Sequence, residues 1–190
     1  MAPTSLDAFV DGIRRKHKMH SKVVPGFDPG NGNSQAKYLF VLEAPGPKAC
    51  ETGYVSFDNP DRTAENFKQQ LQCAHIDRAD IAIWNVVPWY LGNKDRTKIR
   101  SPHTDEIAEG VKLLKDLVLL LPRLEYIILV GTSARRAHIA LSMSCNARIL
   151  ACHHPSPRGL NKTPGAADEN VAVFRRMRIG IDGATAACRN

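Results

Sequence analysis

The chain has 190 residues, of which 43% are hydrophobic and 24% are charged. A chain of this length forms one domain and folds without needing a metal or a disulfide, and its composition excludes a disordered chain, a collagen-like chain and a coiled coil. Lys and Arg number 26 against 19 Asp and Glu, so the net charge is +7, which favours nucleic acid, an anionic membrane surface or a phosphorylated ligand as partner.

Helices and strands are predicted to alternate along most of the chain. An amphipathic helix over residues 5–18 comes first, and a loop rich in Pro, Gly and Asn follows over residues 24–33. Short apolar runs then predict four strands, at Lys37–Leu42, Asp80–Val87, Glu125–Gly131 and Ala147–Cys152. Helices are predicted at Asp61–Ala74, His103–Leu121, Thr132–Met143 (begun by a hydroxyl cap) and Asp168–Ile179.

Continuous apolar strands that alternate with helices are typical of a parallel sheet covered on both faces. We therefore predict a single α/β domain over residues 1–190, a three-layer α/β/α sandwich with a central four-stranded parallel sheet. Residues 1–36 supply an N-terminal helix and loop, and residues 181–190 are expected to form a loose tail. In such sheets, ligands bind at the carboxyl ends of the strands. The segments after the four strands are therefore expected to share one rim; they are Glu43–Gly46, Trp84–Asn85, Gly131–Ser133 and His153–Gly159.

Two polar side chains at the predicted strand ends are candidates for chemistry. Glu43 suits a general base or a group that positions water, although a carboxylate that caps a neighbouring turn is an equally simple interpretation. Asn85 lies among residues that should be buried, so its amide needs partners. One interpretation is a hydrogen bond to a neighbouring loop. The other is that the amide binds the edge of a ligand that donates one N–H and accepts one hydrogen bond; uracil and thymine have such an edge, and cytosine does not.

The segment after the last strand carries the adjacent pair His153 and His154. No further ligands at metal-binding spacing are evident, so we expect one histidine to be structural and the other to donate a hydrogen bond to developing negative charge. Gly131-Thr132-Ser133 either places backbone N–H groups against a phosphate or simply begins a helix. The chain contains no P-loop, GxGxxG or GxSxG motif.

An aromatic residue and several basic clusters complete the set of candidates. Phe57 lies in a polar loop, where it either stacks on a base or folds the loop against the core. Most basic clusters are typical of solvated helix faces, but Lys94–Arg100 and Arg158 flank strand ends and are better candidates for phosphate contacts.

Four segments together resemble one known family. FVLEAPGPKA (Phe40–Ala49), the strand ending at Asn85, LVGTSA (Leu129–Ala134) and HPSPRG (His154–Gly159) resemble, in this order, motifs of the uracil-DNA glycosylase superfamily. HPSP is the most specific of them, and EAPG is similar to the first motif of the iron–sulfur branch. Among the branches, the chain most resembles a rhizobial-type, broad-specificity class without an iron–sulfur cluster.

The resemblance implies a fold of four parallel strands between helices, and it implies roles for residues of this chain. His154 matches the histidine that hydrogen-bonds the base O2 as the glycosidic bond breaks, and Asn85 matches the amide that reads the base. Phe57 resembles the aromatic residue that stacks on the flipped base, and the backbone around Ala44 and Gly46 would line the base pocket. The loop that enters the duplex would contain Ser156, Pro157 and Arg158, with Arg158 or Leu160 filling the gap; Thr132 and Ser133 would also contact DNA.

The chain departs from the family's best-known branch at two positions of the first motif. Ala44 stands where that branch has a water-orienting aspartate, so Glu43 or Asn85 is expected to take that role. Gly46 stands where that branch has a tyrosine that excludes thymine, which predicts a wider range of bases. The five cysteines (Cys50, Cys73, Cys145, Cys152, Cys188) do not follow the pattern of the iron–sulfur branch, so we predict no cluster, no other cofactor and no metal.

The resulting expectation is a monofunctional uracil-DNA glycosylase that acts in base-excision repair. Two alternatives stay open: a glycosylase that acts mainly on deaminated purines or mispaired thymine, which Gly46 would permit, and a non-catalytic protein that binds DNA lesions, which Ala44 would explain. Without a signal sequence or an apolar run of about 20 residues, we expect a cytoplasmic protein (nucleoid-associated if bacterial) that is a monomer and binds DNA but no membrane.

Overall fold

The computed structural model describes residues 5–187 and the side chains of residues 5–180. Six strands are formed: β1 Gly26–Phe27, β2 Tyr38–Leu42, β3 Tyr54–Val55, β4 Ile81–Asn85, β5 Tyr126–Val130 and β6 Arg148–Cys152. The helices are α1 Ser5–Lys16, α2 Pro47–Thr52, α3 Arg62–Cys73, α4 Thr104–Val118, α5 Thr132–Arg135, α6 His138–Ser142, α7 Pro157–Leu160 and α8 Ala166–Ala187. No helix within residues 5–187 is long and apolar enough to cross a membrane.

The central sheet has four parallel strands in the order β4-β2-β5-β6. Alternate residues of a strand point to opposite faces, so each strand contributes to two apolar layers. Leu39 and Val41 of β2 belong to the core cluster beneath α1 and α4. Tyr38 and Phe40 belong to the opposite cluster, with Phe67 of α3 and residues of α8. The predicted three-layer sandwich with four parallel strands is therefore confirmed.

Each layer is built around aromatic contacts that fix the helices on the sheet. On one face, the Phe27 and Trp84 rings stack with centroids 4.4 Å apart. On the other, Phe40, Phe67 and Phe174 meet edge to face, with centroids 5.1–6.2 Å apart. Aromatic pairs in these geometries add to the free energy gained by burying their area. They hold β2 and β4 rigidly, and both strands end at the candidate site.

Several local expectations need correction. The loop after β2 contains α2, because Pro47 suits the first turn of a helix and Gly53 ends it in the left-handed conformation. The loop over residues 24–33 contains β1, which pairs with β3 in a separate two-stranded parallel sheet. The single helix predicted from Thr132 is two short helices, since α5 closes with i→i+3 hydrogen bonds at its end. The N-cap residue of α5 is Gly131, so this helix begins without the expected hydroxyl cap.

The segment after β6 and the end of the last helix also differ from expectation. Ser156 caps α7 by accepting a hydrogen bond from the Gly159 N–H, and Pro157 takes the first helical position. Helix α8 continues through Ala187, beyond the end at Ile179 that the sequence pattern predicted. Residues 188–190 lie outside the described residues.

Candidate active site

Two adjacent cavities open at the carboxyl ends of the four central strands. The first, of about 470 Å³, we call the apolar cavity, because Leu42, Val55, Phe67 and Ile83 line it beneath the polar groups of its rim. The second, of about 590 Å³, we call the polar cavity, because hydroxyl and cationic side chains such as those of Thr132, Ser133, Arg135 and Arg158 line it. Glu43, His154 and Ser156 line both cavities. The strand-end residues predicted from the sequence are thus brought together at one site.

Asn85 ends β4 at the wall of the apolar cavity with a side chain in need of a partner. The residue is 2% exposed, and its Nδ2 has no hydrogen-bond partner within the part of the chain that the structure describes. A buried donor without a partner costs about 1–3 kcal/mol. The alternative in which the amide binds a neighbouring loop leaves this N–H unexplained, whereas a ligand in the cavity would accept from it.

The protonation state of His154 follows from its burial and its neighbour. Burial lowers the pKa of His154 below its ordinary value, and the Glu43 carboxylate opposes this effect. The imidazole is therefore neutral at neutral pH. Its Nδ1 accepts a hydrogen bond from the backbone N–H of Ser156 (3.2 Å), which assigns the remaining proton to Nε2. His154 thus offers one N–H donor at the boundary of the two cavities.

Side-chain amides on α8 and α3 hold the backbone on either side of His154. Asn170, which is 1% exposed, accepts from the His153 N–H at 2.8 Å and donates to the His153 carbonyl at 3.0 Å. The same Nδ2 donates to Gln70 Oε1 on α3, also at 3.0 Å. Asn66 of α3 donates to the Pro155 carbonyl at 2.8 Å. Two helices therefore hold the HPSP segment from below.

Two glycines leave the space that His154 occupies. A Cβ on Gly131, whose φ is +84°, would lie 3.1 Å from the His154 Cβ. A Cβ on Gly159 would lie 2.3 Å from the His154 carbonyl oxygen, which is closer than atoms can approach. By contrast, His153 Nε2 lies 2.8 Å from a carboxylate oxygen of Glu169. His153 is therefore paired with a carboxylate on α8, whereas His154 lines both cavities.

Glu43 follows β2 and faces His154 across the boundary of the cavities. Its carboxylate accepts a hydrogen bond from the Ser133 hydroxyl at 2.5 Å, which orients the carboxylate. Ala44 and Gly46 line the apolar cavity beside it. A Cβ on Gly46 would meet no atom within 4 Å, so this side of the cavity is wide.

Phe57 does not take the position expected of a base-stacking residue. It is 8% exposed and belongs to the core cluster on the α3 and α8 face of the sheet. The guanidinium of Arg78 lies 4.7 Å from the centroid of its ring, and Phe57 is absent from the described residues that line the apolar cavity. In this structure Phe57 folds its loop against the core, and its stacking on a flipped base stays a prediction. Its neighbour Ser56 lines the cavity and donates to Asp28.

The remaining predicted contacts lie around the polar cavity. Thr132, Ser133, Ser156 and Arg158 line it. Pro157 and Leu160 lie in α7 next to Arg158 but not among the described residues that line either cavity. Sequence reasoning missed Lys162, Arg135 and Ile99, which also line the cavities. Arg135 had a signal, because it belongs to the basic pair Arg135-Arg136; Lys162 and Ile99 gave none.

The cysteines have the character of space-filling residues. Burial raises the pKa of the Cys50 thiol to about 11 and that of Cys152 to about 12, so both are protonated at neutral pH. Cys50, Cys73, Cys145 and Cys152 are free thiols, and Cys188 lies outside the described residues. Among the side chains of residues 5–180, no three of His, Cys, Asp or Glu are grouped so that they would hold a metal ion.

Comparison with known proteins adds a family match across the site. A sequence model of the uracil DNA glycosylase superfamily matches residues 29–177. The chain is also similar to the solution NMR structure of a candidate uracil DNA glycosylase from Methanosarcina acetivorans, with 15% identity and a TM-score of 0.49 over 80% of this chain and 99% of that one. No curated protein matches the chain significantly. The family match includes all four central strands and every strand end at the two cavities.

Proposed function

Because the chain belongs to the uracil DNA glycosylase superfamily, we propose that it excises uracil from DNA by hydrolysing the N-glycosidic bond. The observation that carries the proposal is the unpartnered Nδ2 of Asn85 at the wall of the apolar cavity. That N–H would donate to uracil O4, and Oδ1 would accept from uracil N3–H. Cytosine offers an amino group and an unprotonated nitrogen at the same edge, so it would meet donor against donor.

The depth of the cavity requires the base to leave the duplex. A base in the stack has both faces covered by its neighbours, and an enzyme that acts at its sugar bond extrudes it at a cost of a few kcal/mol. The proposed route takes the flipped base into the apolar cavity. The sugar and its flanking phosphates remain at the polar cavity, where Arg158 and the hydroxyls of Thr132 and Ser156 lie. Cations there would bind phosphates and release counterions.

His154 would stabilise the leaving base. As the C1′–N1 bond breaks, its electron pair passes to the base, and negative charge develops at O2. The Nε2–H of a neutral imidazole donates to that oxygen without adding a full charge, and it is already oriented by the bond from Ser156. Water then adds to the sugar C1′ and leaves an abasic site, while its proton restores the neutral base.

Glu43 is the group proposed to position that water. Its carboxylate is oriented by Ser133 and lies at the wall shared by the two cavities, between the base side and the sugar side. A carboxylate there would also stabilise the positive charge that develops on the sugar. Asn85 is the alternative, because it also lines the apolar cavity and its amide oxygen can accept a hydrogen bond from water. Glu43→Gln distinguishes them: a rate close to wild type would leave Asn85 as the water-positioning group.

The width of the cavity favours a second, related activity. Because a Cβ on Gly46 meets no atom within 4 Å, the C5-methyl group of thymine or a larger deaminated purine has room on this side. We propose that the base range extends beyond uracil, as in the rhizobial-type class that the motifs resemble. Gly46→Tyr should abolish excision of mispaired thymine and hypoxanthine while uracil excision stays within about tenfold of wild type. Unchanged excision of all three bases would refute this role of Gly46.

The proposal is tested by excision from end-labelled oligonucleotides that carry uracil, hypoxanthine, xanthine or mispaired thymine. Alkali then breaks any abasic site. His154→Ala and Asn85→Ala should each lower uracil excision by about 100-fold or more under single turnover, with DNA binding nearly unchanged. His138→Ala is the matched control, because His138 is exposed on α6 and lines neither cavity. Tight binding to lesion DNA without excision of any base would instead make the protein a lesion binder.

We further propose that the chain acts as one domain and as a monomer. The central sheet joins β2, β4, β5 and β6 in one hydrogen-bonded unit. Size-exclusion chromatography with light scattering, with and without a short uracil duplex, measures the mass. A mass of two chains per duplex would refute the monomer.

A further inference from the structure

An exposed isoleucine stands at the mouth of the apolar cavity. Ile99 is 52% exposed and lines this cavity together with Asn85 and His154. Among the described residues, six large hydrophobic side chains are exposed, and Ile99 is the one of these that lines the apolar cavity. The other five are Tyr54, Leu119, Ile139, Met143 and Ile179. An exposed apolar side chain needs no explanation by itself, but this one borders the proposed base site.

The turn that carries Ile99 is held in place by specific hydrogen bonds. Ile99 and Gly92 form an antiparallel bridge across the turn. Inside the turn, the Asn93 side-chain oxygen accepts from the backbone N–H groups of Thr97 (3.0 Å) and Lys98 (3.1 Å). The position of Ile99 is therefore set by the turn and is not that of a side chain on an unstructured loop.

An ion pair anchors the same turn to α4. Arg100 donates two hydrogen bonds of 2.7 Å to the Glu106 carboxylate. The guanidinium, together with the His103 N–H, lowers the pKa of Glu106 to about 2, so the pair persists throughout the neutral range. The turn also brings four cations and one carboxylate between residues 94 and 100. Its charge favours a DNA backbone close by.

Phe57, the aromatic residue that the sequence suggested for the base, is not among the described residues that line the apolar cavity. Phe57 is buried, and Arg78 lies over its ring. The faces of a pyrimidine ring are weakly hydrated, so a flipped base gains from an apolar contact on the face that would otherwise meet water. Phe67 and Ile83 supply apolar surface inside the cavity, and Ile99 supplies it at the mouth.

On the basis of the proposed function, we propose that Ile99 covers the flipped base as an apolar lid over the mouth of the cavity. The lid acts on the extruded base and not on the gap left in the stack. It therefore contributes equally to single-stranded and duplex substrates. A residue that wedges into the duplex would contribute only where a base pair and its stack must be opened.

The test compares Ile99→Ala with Ile139→Ala, a matched control whose isoleucine is 73% exposed on α6 and lines neither cavity. Binding is measured with oligonucleotides that contain 2′-fluoro-2′-deoxyuridine, in which the electron-withdrawing fluorine slows bond breakage. Single-turnover excision is measured with deoxyuridine. Ile99→Ala should weaken binding roughly tenfold on single-stranded and duplex DNA alike, since most of one aliphatic side chain no longer becomes buried. Ile99→Val should recover most of it.

The outcomes separate the lid from the function on which it rests. A loss confined to duplex DNA would make Ile99 a wedge and overturn the lid. Equal behaviour of Ile99→Ala and Ile139→Ala, with wild-type excision intact, would overturn the lid and leave the proposed glycosylase unaffected. A wild-type protein that excises no base would refute the proposed function itself, and the lid with it.

Discussion

Replacing Asn170 should displace His154 and lower the rate of excision by more than the accompanying loss of stability explains. The side chain makes three hydrogen bonds, two to the backbone of His153 and one to Gln70. At about 1 kcal/mol net for each bond, Asn170→Ala should lower the free energy of unfolding by about 3 kcal/mol. Because domains are stable by about 5–15 kcal/mol, the variant should remain folded.

The effect on excision should exceed what this loss of stability explains. His154 directly follows the residue that Asn170 holds, and a displacement of about 1 Å costs on the order of 100-fold in rate. We therefore expect Asn170→Ala to lower the single-turnover rate by about that factor, with the Kd for uracil-containing DNA within twofold of wild type. Asn170 would act as a positioning residue, since it reaches the substrate only through His154.

Gln70→Ala provides the matched control. It removes one bond to Asn170 and leaves both bonds from Asn170 to His153, so it should cost about 1 kcal/mol of stability and little excision. Urea unfolding gives the stability, and quenched single-turnover assays give the rate. Equal losses of rate in the two variants, or full excision by Asn170→Ala, would refute the positioning role.

Three further results are expected. Excision should be constant from pH 7 to 8.5 and decline below pH 6.5, because burial holds the pKa of His154 below its ordinary value of about 6.5. Protonation would place a second N–H opposite that of Ser156; a decline that starts above pH 7.5 in a rate–pH profile would contradict this. Phe57→Leu should lower the free energy of unfolding by about 1 kcal/mol in urea and leave the excision rate within twofold of wild type. A large loss of excision at unchanged stability would instead support stacking of Phe57 on the base. Affinity for DNA should fall steeply with salt, and Arg158→Ala should reduce the slope of log K against log salt by about one; titrations with an unaltered slope would remove Arg158 from the phosphate contacts.

The sheet and its rim were predictable because they follow from local patterns. The strands are short apolar runs, and parallel strands present their carboxyl ends on one edge. That rule alone brought Glu43, Asn85 and His154 to a common site before any resemblance was considered. The strand bounds differ from the predicted ones by a residue or two, since the apolar run extends into the adjoining turns.

The features that sequence reasoning missed depend on contacts between distant segments. The polar loop left open whether Phe57 stacks on a base or packs against the core, and only a contact across the fold shows that Arg78 lies over its ring. Asn170 gave no signal, because nothing in an amphipathic helix indicates that one polar residue faces inward toward His153. Helix α5 ends after one turn although the sequence continues with helix-forming residues. For Phe57 and Asn170, contacts between distant segments decide the outcome, and local patterns do not report them.

The wall shared by the two cavities has a consequence for the order in which products leave. In the proposed reaction, the free base lies in the apolar cavity, while the abasic sugar and its phosphates lie across the polar one. The DNA strand and the side chain of Ile99 then stand between the free base and solvent. The base would escape only after the strand moves away, so steady-state turnover would be slower than the chemical step. Such a delay would keep a fragile abasic site covered until the next repair enzyme displaces this one.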